Sequence, residues 1–431
     1  MRKWLNVKAV VAFGALVVLL TLGAAAASAK RGAQTVTISA LWTTEQSLGF
    51  DILVKNFENV YPNIKVNVSY VPQANIAATL ATQIQAGNEP DLFEVNQGNQ
   101  NGYSVFPLAA QGKLLAVGGP WVKHVDAKSI QYFSRKHRLY GNPFFFTPFA
   151  VMANVDLFKK IGATYPKSFS QLLSLCAKAR ANGLSAIANG LANNNGQTQL
   201  TYMAMEAFVY NKDPDFTLHL AQKKTTWSTS PLARNALNAL VQMKDANCFE
   251  AGQAGTTSTS SEQQFETGNA LMVTTTIAGY GRITTAMPSL HNPVAAPFPA
   301  ASANDTVVVH LPLGLSGSAT TKYPAAVRDF INFMGRPKQA ALYANMSGAI
   351  PGYEALKGTL TTLNTTYAPT FYSLFGPLMK AGKSVPLPGM LWPRADLPIT
   401  FGTEMVGLFT GQKTVDQVLS DMDAAWNTKP G

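Results

Sequence analysis

Between residues 36 and 96 the chain changes hydrophobic period four times, and few folds accept that pattern. Val36, Ile38, Ala40 and Trp42 alternate with polar residues as a strand does, and the polar run Thr43-Thr44-Glu45 ends them. Phe50, Leu53, Val54, Phe57 and Val60 then recur at helical spacing, stopped by Tyr61-Pro62-Asn63. Ile64, Val66, Val68 and Tyr70 alternate again, Ile76, Leu80 and Ile84 form a second helical stripe ending at Gly87, and Asp91–Val95 is a short apolar run. The order β-α-β-α-β predicts a parallel sheet covered by helices, hence an α/β fold. Later helices carry start signals: Ser168 with Gln171 as a capping box, Pro231 and Pro324 at first helical positions, and Thr414 before a stripe of Val415, Val418, Leu419, Met422 and Trp426.

The N-terminus reads as an export signal. Arg2, Lys3 and Lys8 precede the apolar run Ala9–Leu22, and Ala27-Ser28-Ala29 supplies a small-x-small cleavage pattern. Residues 1–29 are therefore expected to be a cleaved signal peptide, with an uncleaved anchor as the other reading, and the protein is expected in the periplasm or outside the cell. In such a compartment the two cysteines invite pairing. Cys176 lies on an apolar helical face and Cys248 follows the helix Leu232–Asn247. A disulfide is expected, two separately buried thiols being the alternative.

With 431 residues, 47% of them hydrophobic, the chain can bury a sizeable core and suggests two or three domains. Only 13% are charged, and 34 Lys plus Arg stand against 23 Asp plus Glu. A basic excess points to nucleic acid only when clustered, and here no basic run exceeds a pair such as Lys159-Lys160; nucleic acid is not an expected partner. Catalytic signatures are missing. The histidines at 124, 137, 219, 291 and 310 include no i,i+4 pair, so no metal site is expected. Gly314-Leu315-Ser316-Gly317-Ser318 lacks the last glycine of a nucleophile elbow, and Gly279-Tyr280-Gly281 ends in Thr284 rather than the glycine of a dinucleotide fingerprint. No cofactor is expected. A secreted polysaccharide-degrading enzyme survives as an alternative, because carboxylate pairs meet in space rather than in sequence.

The strand ends carry neutral hydrogen-bonding groups instead. Ligands of open α/β sheets sit beyond the carboxyl ends of the strands. Here those ends read Trp42, Thr43, Thr44, Glu45 and Asn96, Gln97, Asn99, Gln100. Amides and hydroxyls suit sugar hydroxyls, and an aromatic face suits a pyranose. Taken singly, each amide or Thr is equally a solvated loop residue, and Trp42 equally a core residue.

The order of segments resembles the family 1 extracellular solute-binding proteins of ABC importers, the group that includes maltose-binding protein. The resemblance spans most of residues 35–427. It is carried by TVTISALW from Thr35, FENVYPNIKVNV from Phe57, LATQIQAGNEPDLFEV from Leu80, RLYGNPFFF from Arg138, FETGNALMV from Phe265 and GLFTGQKTVDQVLSDMDAAW from Gly407. It implies two α/β lobes of type II, with mixed sheets flanked by helices and a ligand cleft at the hinge. Lobe one would be 35–143 plus 303–346, and lobe two 144–302 plus 347–431. Carried over position by position, the family's ligand contacts fall on Trp42, Thr44, Glu45, Asn96, Gln97, Phe146, Thr147, Thr275, Tyr280, Trp392 and Arg394. The implied function is capture of a sugar or oligosaccharide by a monomer that delivers it to an ABC permease. An anionic ligand such as a sugar phosphate is the nearer alternative, with Arg282 and Arg394 as its candidate cations. The family pattern is broken where Tyr-Asn-Lys-Asp reads Ala153-Asn154-Val155-Asp156 and where a Gly-Gly pair gives way to His310-Leu311-Pro312.

Overall fold

The computed structural model describes residues 35–72, 75–125, 127–276, 279–280, 283, 294–302, 305, 308–347, 350–351, 377–378, 381 and 383–428. The expected signal peptide, residues 1–29, lies outside them, as does Arg282.

The strands are β1 (Val36–Thr43), β2 (Ile64–Val71), β3 (Leu92–Asn96), β4 (Ser134–Arg135), β5 (Arg138–Leu139), β6 (Asn142–Ala153), β7 (Ser185–Ala188), β8 (Ala270–Thr276), β9 (Val294–Ala296), β10 (Val308–Gly317), β11 (Ile350–Pro351) and β12 (Ser384–Pro386). The longer helices are α1 (Ser47–Val60), α2 (Ile76–Ala86), α3 (Phe169–Ala181), α4 (Asn194–Met205), α5 (Pro231–Asp245), α6 (Ser258–Glu266), α7 (Pro324–Met334), α8 (Pro337–Ser347), α9 (Leu397–Thr410) and α10 (Val415–Asn427).

The β1-α1-β2-α2-β3 order read from periodicity is present, with β1 parallel to both β2 and β3. Ten strands join in the order β2-β1-β3-β10-β6-β8-β7, with β9 and β11 on β6 and β12 on β10. Strand β6 connects the two halves. Its residues Asn142–Pro148 pair antiparallel with β10, and Phe149–Ala153 pair with β8. One strand thus changes sheets along its length, and β10 bridges from β6 back to β3.

The core divides at the same place. Ile38, Trp42, Phe50, Phe57, Phe144, Phe145, Phe330 and Tyr343 fill one body around β1, with Leu41, Leu80, Phe93 and Phe133 in a separate cluster beside it. Phe149, Leu172, Tyr202, Trp227, Phe401 and Leu419 belong to another around β7 and β8. Helix starts match the sequence signals: Ser168 accepts from the Gln171 amide, Thr414 and Gln417 form a reciprocal capping box, and Pro231 and Pro324 open their helices. At α3 the Gln171 side chain accepts from the Lys167 amide, one residue earlier than a capping box requires. Gly87 closes α2 with φ 69°, a backbone that glycine adopts without strain. Cys176 of α3 and Cys248 just after α5 are bonded, with Cα atoms 4.6 Å apart, as expected from export and pairing. Among the described residues no helix is long and apolar enough to cross a membrane.

Candidate functional site

At β1 the expected aromatic contact is corrected. Trp42 is fully buried, stacked on Phe50 at 4.4 Å between ring centroids, and its indole N–H donates to the Tyr343 hydroxyl at 3.2 Å. The strand alternation that places Trp42 with Ile38 and Ala40 takes all three into the first core. The Tyr343 hydroxyl in turn donates a hydrogen bond to the Gln46 Oε1, which ties the loop after β1 to α8. Thr44 is exposed on the short turn that follows the strand. The Glu45 side chain lies outside the described residues.

The loop after β3 is where the two bodies touch. Gly98 has φ 54°, and a Cβ there would lie 2.1 Å from the Met390 carbonyl oxygen, so the close approach needs glycine. The Asn99 amide donates to the Met390 carbonyl at 2.8 Å, and its side-chain amide donates to the Trp392 carbonyl at 2.8 Å. Asn96 ends β3 half-buried opposite Leu313. Gln97 is fully buried, and neither its amide nitrogen nor its amide oxygen finds a hydrogen-bond partner among the described residues. Thr147 on β6 is buried too, with its hydroxyl unpartnered among the described residues. Phe146 pairs through its backbone with Pro312 and Ile350, and its side chain lies outside the described residues.

In the second body three expectations are corrected. Trp392 is wholly buried, with ring centroids 5.3 Å from Trp227, 5.4 Å from Phe401 and 6.0 Å from Trp426, and its N–H donates to the Tyr210 hydroxyl at 3.3 Å. A non-periodic segment has delivered this ring into the core rather than onto a loop surface. Arg394 forks onto Asp396 at 2.8 and 2.9 Å and donates to the carbonyls of Ala425 and Thr428, so it closes the end of α10 instead of meeting a ligand. The fork raises the guanidinium pKa, and the same contact lowers that of Asp396. Thr275 is buried and donates to Glu262 at 2.8 Å, tying β8 to α6. Tyr280 is buried on a short helical turn.

Three buried polar residues are not among those singled out from the sequence. Helix α4 runs into a wider π-helical turn, Glu206–Tyr210, in which the Asn211 amide reaches back to the Glu206 carbonyl. Glu206 is 1% exposed, and its Oε2 has no partner among the described residues; burial pushes its carboxyl well above the usual range. Tyr202, one turn earlier, is buried with its hydroxyl likewise unpartnered. The available signal was one carboxylate inside the apolar run Met203–Tyr210. Asn189 at the end of β7 accepts from Thr274 at 3.1 Å and keeps its Nδ2 unpartnered among the described residues. Buried polar groups left unbonded cost about 1–3 kcal/mol each, so interiors rarely keep them without use. A shallow concavity of about 550 Å³ beside Asn56, Val60, Arg336 and Gln339 lies on the outer helical layer and shares no residue with these groups.

This architecture, two cores linked by strands that change sheets with polar groups facing their junction, is that of the two-lobed solute-binding proteins. The chain belongs to the bacterial extracellular solute-binding protein family, whose model matches residues 42–341. An ABC transporter extracellular-binding protein of Pyrococcus horikoshii is 28% identical over 171 residues, which is 37% of this chain and 38% of the relative's length. Solved structures repeat the fold. A protein from work on xylan utilization by Caldanaerobius polysaccharolyticus superposes with TM-score 0.75 at 18% identity, over 91% of this chain and all of that one. The GacH receptor of Streptomyces glaucescens, solved with acarbose, gives 0.71 at 15% identity, over 91% and 97% of the two chains. A solute-binding protein in complex with raffinose gives 0.70 at 21% identity, over 91% and 99%.

Proposed function

We propose that this protein is the extracytoplasmic receptor of an ABC importer, and that it captures a sugar or short oligosaccharide between its lobes and delivers it to the membrane permease. The observation that carries this reading is Gln97: a fully buried amide at the carboxyl end of a sheet strand, with neither end satisfied among the described residues. An amide offers one acceptor and two donors, the set a sugar hydroxyl uses. Thr147 adds a second unpartnered group on the strand that joins the lobes. Family membership and relatives solved with acarbose and raffinose support the same reading.

The lobes divide as 35–143 plus 303–346 and 144–302 plus 347–431; the separate hydrophobic cores support two lobes, while Phe144 and Phe145 pack in the first core and β6 changes partner between Pro148 and Phe149, so the crossing falls a few residues into the second range. Asn96, Gln97 and Thr147 are the ligand contacts we retain, with Thr44, Glu45, Phe146 and Tyr280 at their margin. Residues 1–29 direct export and are removed, leaving a monomer outside the cytoplasm that performs no covalent chemistry. Closure is driven by better ligand contacts in the closed state, because a ligand indifferent to the two states shifts nothing. A thermal-shift screen over mono- and oligosaccharides and sugar phosphates tests the function, since binding to the native state alone raises stability by RT ln(1 + [L]/Kd). Stabilisation by a neutral sugar is the expected outcome; stabilisation by none of the sugars rejects the reading.

A further inference from the structure

We propose that Glu206, with Tyr202 beside it, is a specificity-determining contact of the ligand site, accepting uncharged hydroxyl-bearing ligands and excluding anionic ones. This rests on the sugar-receptor reading and names the second lobe's share of the site. Neighbouring backbone contacts link these groups to the loop of Gln97 across the junction of the lobes. A Cβ on Gly389 would lie 2.7 Å from the Tyr202 hydroxyl; the next residue, Met390, accepts from Asn99, two residues beyond Gln97. Glu206 also acts on the Tyr210 phenol, which burial and the neighbouring Glu206 and Tyr132 raise; Tyr132 belongs to the first lobe and accepts from the Gly98 amide at 2.9 Å.

Of the polar groups nearby, the Trp227 N–H also lacks a partner among the described residues, but as a donor only it has no acceptor to offer, and the others are engaged. The Trp392 N–H is spent on Tyr210, and Tyr210 also bonds Thr217 at 2.8 Å. Glu206 Oε2 and the Tyr202 hydroxyl are not, among the described residues. The surrounding turn is π-helical, a local distortion that recurs at functional sites. A carboxyl held neutral by burial both donates to and accepts from a hydroxyl, and the buried setting that disfavours its own charge disfavours that of a phosphate as well.

Calorimetry on the mature chain and its Glu206→Leu variant tests this, with raffinose, xylotriose and chitotriose as neutral probes and glucose 6-phosphate as the anionic one. The parent should bind a neutral probe and not the phosphate. The variant should lose about tenfold or more in affinity for that neutral probe, roughly what one buried hydrogen bond supplies. Glu206→Gln, which keeps a donor and an acceptor, should recover most of that affinity, a rescue that a merely structural role would not produce. Equal binding of the neutral probe by parent and variant overturns the inference and leaves the sugar-receptor reading intact. Binding of no probe by the parent overturns that reading, and this inference with it. A ligand-free arm is independent of both. Glu206→Leu removes an unpartnered buried carboxyl, so its melting temperature should equal or exceed the parent's; a clear fall would mean that the fold itself uses the carboxyl and would overturn the assignment.

Discussion

Replacing Trp392 by Ala should destabilise the second lobe's core rather than strip a ligand platform. The ring is fully buried and lies within 6.3 Å of four aromatic neighbours: Tyr202, Trp227, Phe401 and Trp426. Trp→Ala in a core costs about 3–5 kcal/mol from transfer and cavity together. The Tyr210 hydroxyl loses a donor as well but keeps Thr217, so that loss adds little. We expect about 4 kcal/mol. At about 2–4 °C per kcal/mol for a unit of some 200 residues, the melting temperature should fall by roughly 10 °C. Because that is a large fraction of the ordinary 5–15 kcal/mol of stability, Trp392→Phe provides a milder companion. It keeps most of the ring and loses the indole N–H, for about 1–2 kcal/mol. Calorimetric melting of ligand-free protein, with near-ultraviolet circular dichroism to follow the aromatic packing, reads both variants. If Trp392→Ala melts within about 2 °C of the parent while its sugar affinity collapses, the ring faces the ligand and the packing argument is wrong.

The disulfide closes a sequence separation of 72, worth about 4 kcal/mol in the chain-entropy model, so the double variant Cys176→Ser/Cys248→Ser should be less stable by that order in urea titration. Asp423 accepts from the backbone amides of Trp227 at 2.6 Å and Ser228 at 3.1 Å. Asp423→Ala should therefore cost roughly 2–3 kcal/mol and Asp423→Asn less, read by the same titration. Burial raises the Glu206 pKa above its ordinary 4.5. The folded state thus holds that proton while the unfolded chain releases it, and the parent loses stability as pH rises past that value. Glu206→Gln has no such dependence, so its stability advantage should widen between about pH 4 and pH 7; an unchanged gap would refute the shift. Protein secreted by its native host should begin at Lys30 by intact mass, and a retained Met1 would instead indicate an anchor.

Local order was legible because local rules make it. The alternation in β1 and β2, the stripe on α1, the glycine that ends α2 and the caps at Ser168 and Thr414 each depend on residues a few positions apart, and the structure has them where the pattern put them. The cysteine pair was legible because export and a count of two leave few alternatives. Gln97 and Thr147 were reachable from the rule that strand ends face ligands, joined to the family resemblance.

The aromatic residues were not legible in this way. Trp42 finds Tyr343 across 301 residues of chain, and Trp392 finds Tyr210 across 182. Whether such a ring fills a core or faces a cleft depends on which distant helix packs over it, and no spacing in the chain encodes that. Arg394 likewise became a clamp on α10 only once Ala425 and Thr428 came within reach. Glu206 is the converse case. Its sequence neighbourhood is apolar and announces burial, but only the packed lobes leave its Oε2 without a partner among the described residues. Periodicity and capping, which act over a turn or two of chain, determined the elements; long-range packing and desolvation, which act across hundreds of residues, decided which side chains became core and which polar groups were buried without a partner among the described residues.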